Sequence, residues 1–546
     1  MRGLRLLSTL ISQSHHLRTF SSRPRRMSRN YEAAIAALNS LQTNFAIVQE
    51  LQKTVSREDK NLQSIPEMVE WLRRIGYKQS DLSQINPVHV AGTKGKGSTS
   101  AFIASILSQY TAAQSDSPRT LNKIGLYSSP HLRFARERIQ IDGAPLSEEK
   151  FTKYFFEVWD RLEASAQAAG ESPTAPQTKP QYFRYLTLMA FHTYVSEGVN
   201  AAVIECGIGG EYDCTNVIGK PVVGAITSLG IDHTAMLGNT IEQIAWHKGG
   251  IIKPGVKCFS APQPASAEKV LHDRAAEKGA QLEIVKEGLP ESASGGSLKL
   301  GLAGDFQYTN AAVATAAAAE FLRTVGIADI PGDVLSKPLP AEFVKGLESA
   351  RLGGRCETRH EENVSWYIDG GHTLESIRLT GQWFVSQIHA NSSSTTAANK
   401  KLRLLIFNQQ TRDSNALARA LHETLSAALG SEQPFTHAIF CTNVTYKDSG
   451  YRPDLVSMNT NASDIEKLQV QNSLAETWRS IDPNAEVHVY ATIEEAVDFA
   501  RALALKERGL VGKDEAPLTT FVTGSLHLVG GFLDVIETKP SGAEKS

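Results

Sequence analysis

Cysteine is scarce in this chain. Five residues (Cys206, Cys214, Cys258, Cys356 and Cys441) are scattered through 546, an odd set with no Cys-x-x-Cys pair. That speaks against a disulfide framework and a structural zinc site, and it fits a reducing compartment. Long apolar runs are absent too: none approaches the roughly 20 residues that span a bilayer, so no membrane insertion is expected. A strong charge of either sign is missing, since 56 Lys and Arg against 58 Asp and Glu leave −2. Without a global basic field, nucleic acid is not an expected partner, whereas a local pocket for a small anion stays open. No internal repeat is present. What remains is an ordinary soluble composition, 41% apolar and 21% charged, long enough for two or three domains.

One absence is local. Residues 1–31 hold no Asp or Glu, yet carry Arg2, Arg5, Arg18, Arg23, Arg25 and Arg26 among Ser, Leu and His. That is the composition of a mitochondrial transit peptide, here taken as 1–26, and RTFSS (18–22) resembles a matrix-protease cleavage context. Met27 follows the arginines and is placed to start a shorter form. The expectation is a mitochondrial (matrix) and a cytoplasmic form, from starts at Met1 and Met27.

Beyond the leader, strand-like and helix-like stretches alternate. PVHVAG reads as a buried strand, and Phe102, Ile103, Ile106, Leu107 and Tyr110 then recur at helical spacing. KIGLYSS, AAVIECG and VVGAITSLG are further short apolar runs ending in small or polar residues. This is the pattern of a parallel sheet with crossover helices, whose ligands bind at the carboxyl ends of the strands. A second block begins after about residue 355. LRLLIFN, HAIFCT, EVHVYAT and TTFVTGS read as strands; NALARALHETLSAAL and TIEEAVDFARALAL read as helices. The expected domains are 27–345 and 356–546, with 346–355 as linker. Stretches 111–120, 163–180 and 391–399 read as surface insertions.

The residues after each strand carry the chemistry. Gly92, Thr93, Lys94, Gly95, Lys96, Gly97, Ser98 and Thr99 form a glycine-rich turn before a helix. Glycines let backbone N–H groups from Gly92 to Ser98 turn toward phosphate oxygens, the helix adds its positive end, and Lys96 adds a full charge. The common phosphate loop, however, has Ser or Thr directly after its lysine. Here that position is Gly97, so the loop alone leaves kinase, GTPase and ligase open. The missing hydroxyl has a replacement in Ser129, at the end of the next strand. Glu205 closes an apolar strand where an unpaired carboxylate is costly, so it needs a cation. GIGG (207–210) is no dinucleotide fingerprint. Asp232 and His233 follow another strand. Ser129, Glu205 and His233 make a plausible oxygen-rich site for a hard metal. Lys248 lies where the ligand edge should be. In the second block, Arg355 is suited to reach phosphates across a cleft, and Asp369, after WYI, to hold a ribose hydroxyl.

AGTKGKGST, SSPHL with RERI, IECGIGGEYDCTNVI, LGIDHTAMLG, HKGGIIK, GGRCE, DGGHT and VTGSLHLVGG occur in this order. Together they resemble the folylpolyglutamate synthases of the ATP-dependent Mur ligase superfamily, from about Tyr31 to Glu537. LNSLQTN (38–44) is similar to the eukaryotic branch. The resemblance implies an α/β, Mur-ligase-like fold: an N-terminal P-loop ATPase domain with a mostly parallel sheet, and a smaller C-terminal Rossmann-like domain. It implies ATP, with Mg2+ held by Ser129, Glu205 and His233, and a monovalent cation such as K+ as a further candidate. Lys248 matches a lysine that is carbamylated in related ligases. Arg355 and Asp369 match nucleotide contacts. His372 and the segment from Gly524 through Ser525 match the glutamate face. Arg136, Arg138 and Asp213 fall on stretches that line the folate side. The family's adenine motif departs here to GDFQYTNAA, which keeps Gln307 and Asn310. The implied catalytic residues are Lys96, Lys248 and His372. The implied reaction adds L-glutamate to the γ-carboxylate of a folate through an acyl phosphate, by a protein expected to be a monomer. Dihydrofolate synthase is the near alternative, and a P-loop small-molecule kinase the alternative of another class.

Overall fold

The computed structural model describes residues 29–42, 57–112, 120–286, 288–290, 298–390, 402–410, 412–450, 453–455, 468–508 and 516–538. The leader with Met27, the insertion 391–399, residues 113–119 of the insertion 111–120, and the last two residues of LNSLQTN lie outside the described residues. Among the described residues no helix is long and apolar enough to cross a membrane.

The N-terminal strands are β1 (Pro87–Ala91), β2 (Ile124–Tyr127), β3 (Ile139–Ile141), β4 (Ala144–Pro145), β5 (Ala201–Glu205), β6 (Val223–Ile226), β7 (Lys257–Ser260) and β8 (Gln281–Ile284). They form one sheet in the order β4-β3-β2-β5-β1-β6-β7-β8. The pairs from β2 through β8 are parallel, while β3 and β4 are antiparallel at one edge. All residues of β1, β2, β5 and β6 are buried. Layers on both faces explain why these strands read as continuous apolar runs rather than alternating ones. On one face lie the helices Lys96–Ser108 and Phe306–Thr324. Ala311, Ala312, Ala314 and Ala316–Ala319 are all buried, and side chains this small let the second helix sit close against the first. On the other face Phe151, Phe155 and Tyr185 knit the helices Glu148–Ala168 and Tyr182–Glu197, with the Phe155 and Tyr185 rings 4.9 Å apart. Each such buried ring contributes about 1.5–3 kcal/mol.

The C-terminal strands are β9 (Glu357–His360), β10 (Val364–Ile368), β11 (Leu402–Phe407), β12 (His437–Cys441), β13 (Glu486–Tyr490) and β14 (Leu518–Thr523). Their order is β13-β12-β11-β14-β10-β9, parallel except for β9.

Two sequence expectations change. Residues 163–168 are the last turns of the helix Glu148–Ala168, not the start of an insertion; Leu162 and Ala166 are fully buried and carry its apolar stripe to that end. Residues 346–349 of the expected linker belong to the helix Ala341–Ser349, whose Gly346 lies against Ile106; a Cβ there would stand 2.6 Å from the Ile106 Cα. The chain crosses between the two sheets only after Ser349.

Candidate functional site

Register assembles the site. β1 lies between β5 and β6, and β2 lies beyond β5. Val90 pairs with Glu205, Ala91 with Ile226 and Tyr127 with Ile204, so the loop after Ala91, the Ser128–Ser129 pair, Glu205 and the segment after Ile226 emerge side by side. This is the edge where an open parallel sheet takes its ligand.

The loop is held from below. Gly92 has φ +148° and touches Thr227, where a Cβ would stand 1.8 Å from Oγ1. Gly95 caps the helix Lys96–Ser108 with φ +89°. The N–H groups of Thr93 and Lys94 both donate to the Ser228 carbonyl, at 3.0 and 3.1 Å. The expectation that every N–H from Gly92 to Ser98 faces phosphate is therefore corrected. Those of Lys96, Gly97 and Ser98 fall in the first helical turn, where the helix itself offers no acceptor. Lys96 folds back to the Gly92 carbonyl at 3.2 Å. A Cβ at Gly97 would lie 3.8 Å from a Glu205 carboxylate oxygen and 3.4 Å from Leu352, at ordinary contact distance, which places the start of this helix beside Glu205.

Glu205 is 3% exposed, and Oε2 accepts the Ser129 backbone N–H at 3.0 Å. Burial raises its carboxyl pKa and Lys96 opposes this; a bound cation would relieve the same burial. Among the described residues no group of three His, Cys, Asp or Glu side chains is placed to hold a metal. The hydroxyl of Ser129 and the carboxylate of Glu205 are oxygen donors, the kind that suit a hard cation. Ser129 and Glu205 are in contact; His233 starts the next helix, close to Asp232, Lys248 and Lys96.

Lys248 closes this edge. Its Nζ donates to the Gly92 carbonyl at 2.7 Å, and burial, reinforced by Lys96, lowers its pKa from 10.5 to about 7.

Across the cleft, β10 and β14 end together. Asp369 follows β10, and its oxygens accept the Cys356 N–H at 2.9 Å and the Gly371 N–H at 2.7 Å. Arg355 stands beside it: a Cβ at Gly370 would meet its guanidinium at 2.8 Å. His372 Nδ1 lies 2.9 Å from the Gly370 carbonyl. A carbonyl only accepts, so Nδ1 carries the hydrogen and Nε2 keeps its lone pair. Burial, with Lys94, Arg412 and Arg355, lowers the His372 pKa to about 4.

One contact bridges the units at the cleft. Asp232 accepts from Lys94 at 3.1 Å and from Arg412 at 2.9 Å. Burial opposes ionisation, yet Lys94, His233 and Arg412 hold this carboxyl below its ordinary range. Arg412 was missed from the sequence. The signal was there, because it follows β11 as the other site residues follow their strands.

Four candidates, Asp213, Ser525, Gln307 and Asn310, are engaged in local structure. Asp213 Oδ1 accepts from the Thr215 N–H and hydroxyl, at 2.9 and 2.6 Å, and Oδ2 from the Ile208 N–H at 2.9 Å. Its carboxylate folds its own loop, because a buried carboxylate needs donors and the nearest are in that loop. Ser525 caps the helix Leu526–Glu537 by accepting the Leu528 N–H at 3.0 Å. Gln307 donates to Ser98 Oγ and accepts from Asn310 Nδ2, at 3.1 and 2.9 Å. This pair braces the phosphate loop from beneath. Arg136 and Arg138 share the short turn Ala135–Arg138.

Known proteins resemble the chain in sequence and in fold. No protein-family model matches the chain. It is 45% identical over 517 residues, 94% of its length, to a folylpolyglutamate synthase of Saccharomyces cerevisiae (strain FostersO), covering 88% of that protein. Its fold is similar to a Mycobacterium tuberculosis folylpolyglutamate synthase complexed with ADP: TM-score 0.65, 21% identity, 94% of this chain and 100% of that one. An apo form of L. casei FPGS gives TM-score 0.62 and 21% identity, over 93% and 100%. An FPGS-AMPPCP-folate complex gives 0.61 and 22%, over 93% and 100%.

Proposed function

The chain belongs to the folylpolyglutamate synthase family, and from that premise we propose how its cleft performs ATP-dependent ligation of L-glutamate to a folate. The observation that carries the assignment of residues is the convergence of Lys96, Ser129 and Glu205 at one set of strand ends, opposite His372 and Arg355.

The N–H groups of Lys96, Gly97 and Ser98 and the Lys96 ammonium receive the phosphates of ATP. Arg355 reaches them from the other unit, and Asp369 holds a ribose hydroxyl with its remaining lone pairs. Gln307 and Asn310 act through Ser98 and the loop. Ser129, Glu205 and His233 would hold magnesium, which neutralises charge on the transferred phosphoryl group. The γ-carboxylate of the folate takes that group, giving an acyl phosphate and ADP. The amine of glutamate attacks the acyl carbon, phosphate leaves, and an amide remains. The attacking amine must be neutral, and the free Nε2 lone pair of His372 is suited to accept a hydrogen bond from it and orient it. Arg412 and Lys94, already paired with a carboxylate in Asp232, are suited to a carboxylate of glutamate. Lys248, with a pKa of about 7, has a large neutral fraction near neutrality. A neutral amine is the form that carbon dioxide converts to a carbamate, which would give the metal edge an anion in place of a cation. Two facing units hold the reactants together and keep water from the acyl phosphate.

The test is ADP release by the full chain, kept in solution as a monomer. Turnover requires ATP, a folate monoglutamate and glutamate together. Turnover with dihydropteroate but not with folates would transfer the assignment to dihydrofolate synthase, and turnover without glutamate to a kinase. The acid-free leader supports a mitochondrial form starting at Met1 and a cytoplasmic one starting at Met27.

A further inference from the structure

The turn that carries Arg136 and Arg138 is held by the C-terminal unit as much as by its own. The Leu132 carbonyl lies against the helix Leu526–Glu537, where a Cβ at Gly530 would stand 1.9 Å from it. Its side chain packs on Gly353 and Gly354, where added Cβ atoms would meet it at 3.0 Å. Arg133 pairs with Asp534 at 3.0 Å and with Glu537. Asp454, also from beyond the crossing, enters the turn itself. Its Oδ1 accepts the Ala135 N–H at 2.8 Å, where the arginine turn begins, and the Tyr31 hydroxyl at 2.6 Å.

A second path runs from Asp454 to Arg138. Arg138 Nε lies 2.9 Å from His131 Nδ1, and His131 Nε2 lies 2.9 Å from the Asp454 carbonyl. A guanidinium N–H only donates, so Nδ1 accepts. A carbonyl only accepts, so Nε2 carries the hydrogen. One neutral tautomer satisfies both bonds and points the ring one way. Arg138 is 9% exposed, rests over the Tyr182 ring at 5.6 Å and is close enough to Glu205 to act on its charge. Its Nε is engaged, and among the described residues neither Nη atom has a hydrogen-bond partner. With Nε taken by His131, the two Nη atoms remain to bind a carboxylate in bidentate fashion.

We propose that His131 and Asp454 are positioning residues for the folate: through them the C-terminal unit fixes the Arg138 fork toward a carboxylate of the folate's glutamyl moiety. This rests on the reading that Arg138 lines the folate side. Folate recognition is then built by both units, although Arg136 and Arg138 both lie in the first.

The experiment measures KM for folate, ATP and glutamate in the full chain. Arg138→Ala, His131→Leu and Asp454→Ala should each raise the folate KM about tenfold, the scale of a hydrogen bond to a charged group. The KM values for ATP and glutamate should stay within about twofold. Asp454→Asn keeps the Oδ1 acceptor and should stay near wild type. His131→Leu added to Arg138→Ala should change the folate KM little, because both act through one contact. Where Asp454→Ala does not fold, Tyr31→Phe removes a single donor to Oδ1 and carries the same comparison. A folate KM unchanged in Arg138→Ala overturns the folate-side reading and this proposal with it. A strong effect there, with His131→Leu either silent or raising all three KM values alike, overturns the relay alone.

Discussion

Replacing Lys248 by methionine should stabilise the protein and inactivate it in the same step. The side chain is 3% exposed and its pKa is lowered from 10.5 to about 7, by burial first and then by Lys96. At about 1.4 kcal/mol for each tenfold, that displacement is worth roughly 5 kcal/mol as a ceiling. Methionine removes the penalty but leaves the Gly92 carbonyl without the donor it had at 2.7 Å, a loss of about 1–3 kcal/mol. The net gain is then on the order of 2–4 kcal/mol. The sign depends on pH. Between about 7 and 10.5 the unfolded chain binds one more proton at this lysine than the folded chain does, so wild-type stability rises with pH across that window. The penalty is complete below pH 7 and gone by 10.5. Urea midpoints should therefore favour Lys248→Met over wild type most at pH 6, and the order should reverse as pH approaches 10.5, where only the lost donor to Gly92 remains, while kcat falls on the order of 10²-fold. Bicarbonate should raise the wild-type midpoint and leave the variant's unchanged, because a carbamate draws on the folded, neutral amine. A stability difference independent of pH, or turnover like wild type, would refute the reasoning.

Lys96→Ala and Glu205→Ala should each lower kcat on the order of 10²-fold or more, as loss of a preorganised charge contact does; ADP release measures it, and near-normal rates in either would remove this site from consideration. Gly92→Ala should destabilise by roughly 1–3 kcal/mol and raise the KM for ATP, because φ +148° and the Thr227 hydroxyl leave no room for a Cβ; an unchanged melting temperature would contradict that geometry. Met27→Leu should remove the cytoplasmic form, and deletion of residues 2–26 the mitochondrial one. Fractionation of C-terminally tagged protein checks both, and the two-start idea fails if either change leaves both pools intact.

The strand ends were legible from the residues. PVHVAG, KIGLYSS, AAVIECG and VVGAITSLG became β1, β2, β5 and β6 because strands buried on both faces must be apolar throughout, and each then stops at a residue that solvent or ligand can reach. Two edge strands, β3 and β4, were not legible, being too short to show a period. Nor was the extension of a helix through Ala168, since EASAQAA is as alanine- and serine-rich as a loop insertion. The hold of Asp213 on its own loop was not legible either, because its donors Ile208 and Thr215 become its neighbours only once the loop is closed.

By itself the sequence determined which side chains reach the ligand edge: a glycine-rich turn with Lys96; Glu205 and Lys248 as the last residues of a strand and a helix; and Ser129 and His233 in the segments that follow strands. It could do so because period and composition are local, and the parallel sheet turns local stops into a common edge. Tertiary structure alone decided what those groups do to one another. The Lys248 pKa comes from burial beside Lys96, 152 positions earlier in the chain. The bridge from Lys94 through Asp232 to Arg412, and the hold of Asp454 and His131 on Arg138, join residues from separate sheets. Coulomb and hydrogen-bond energies depend on distance in space, and these residues become neighbours only when the two units face each other.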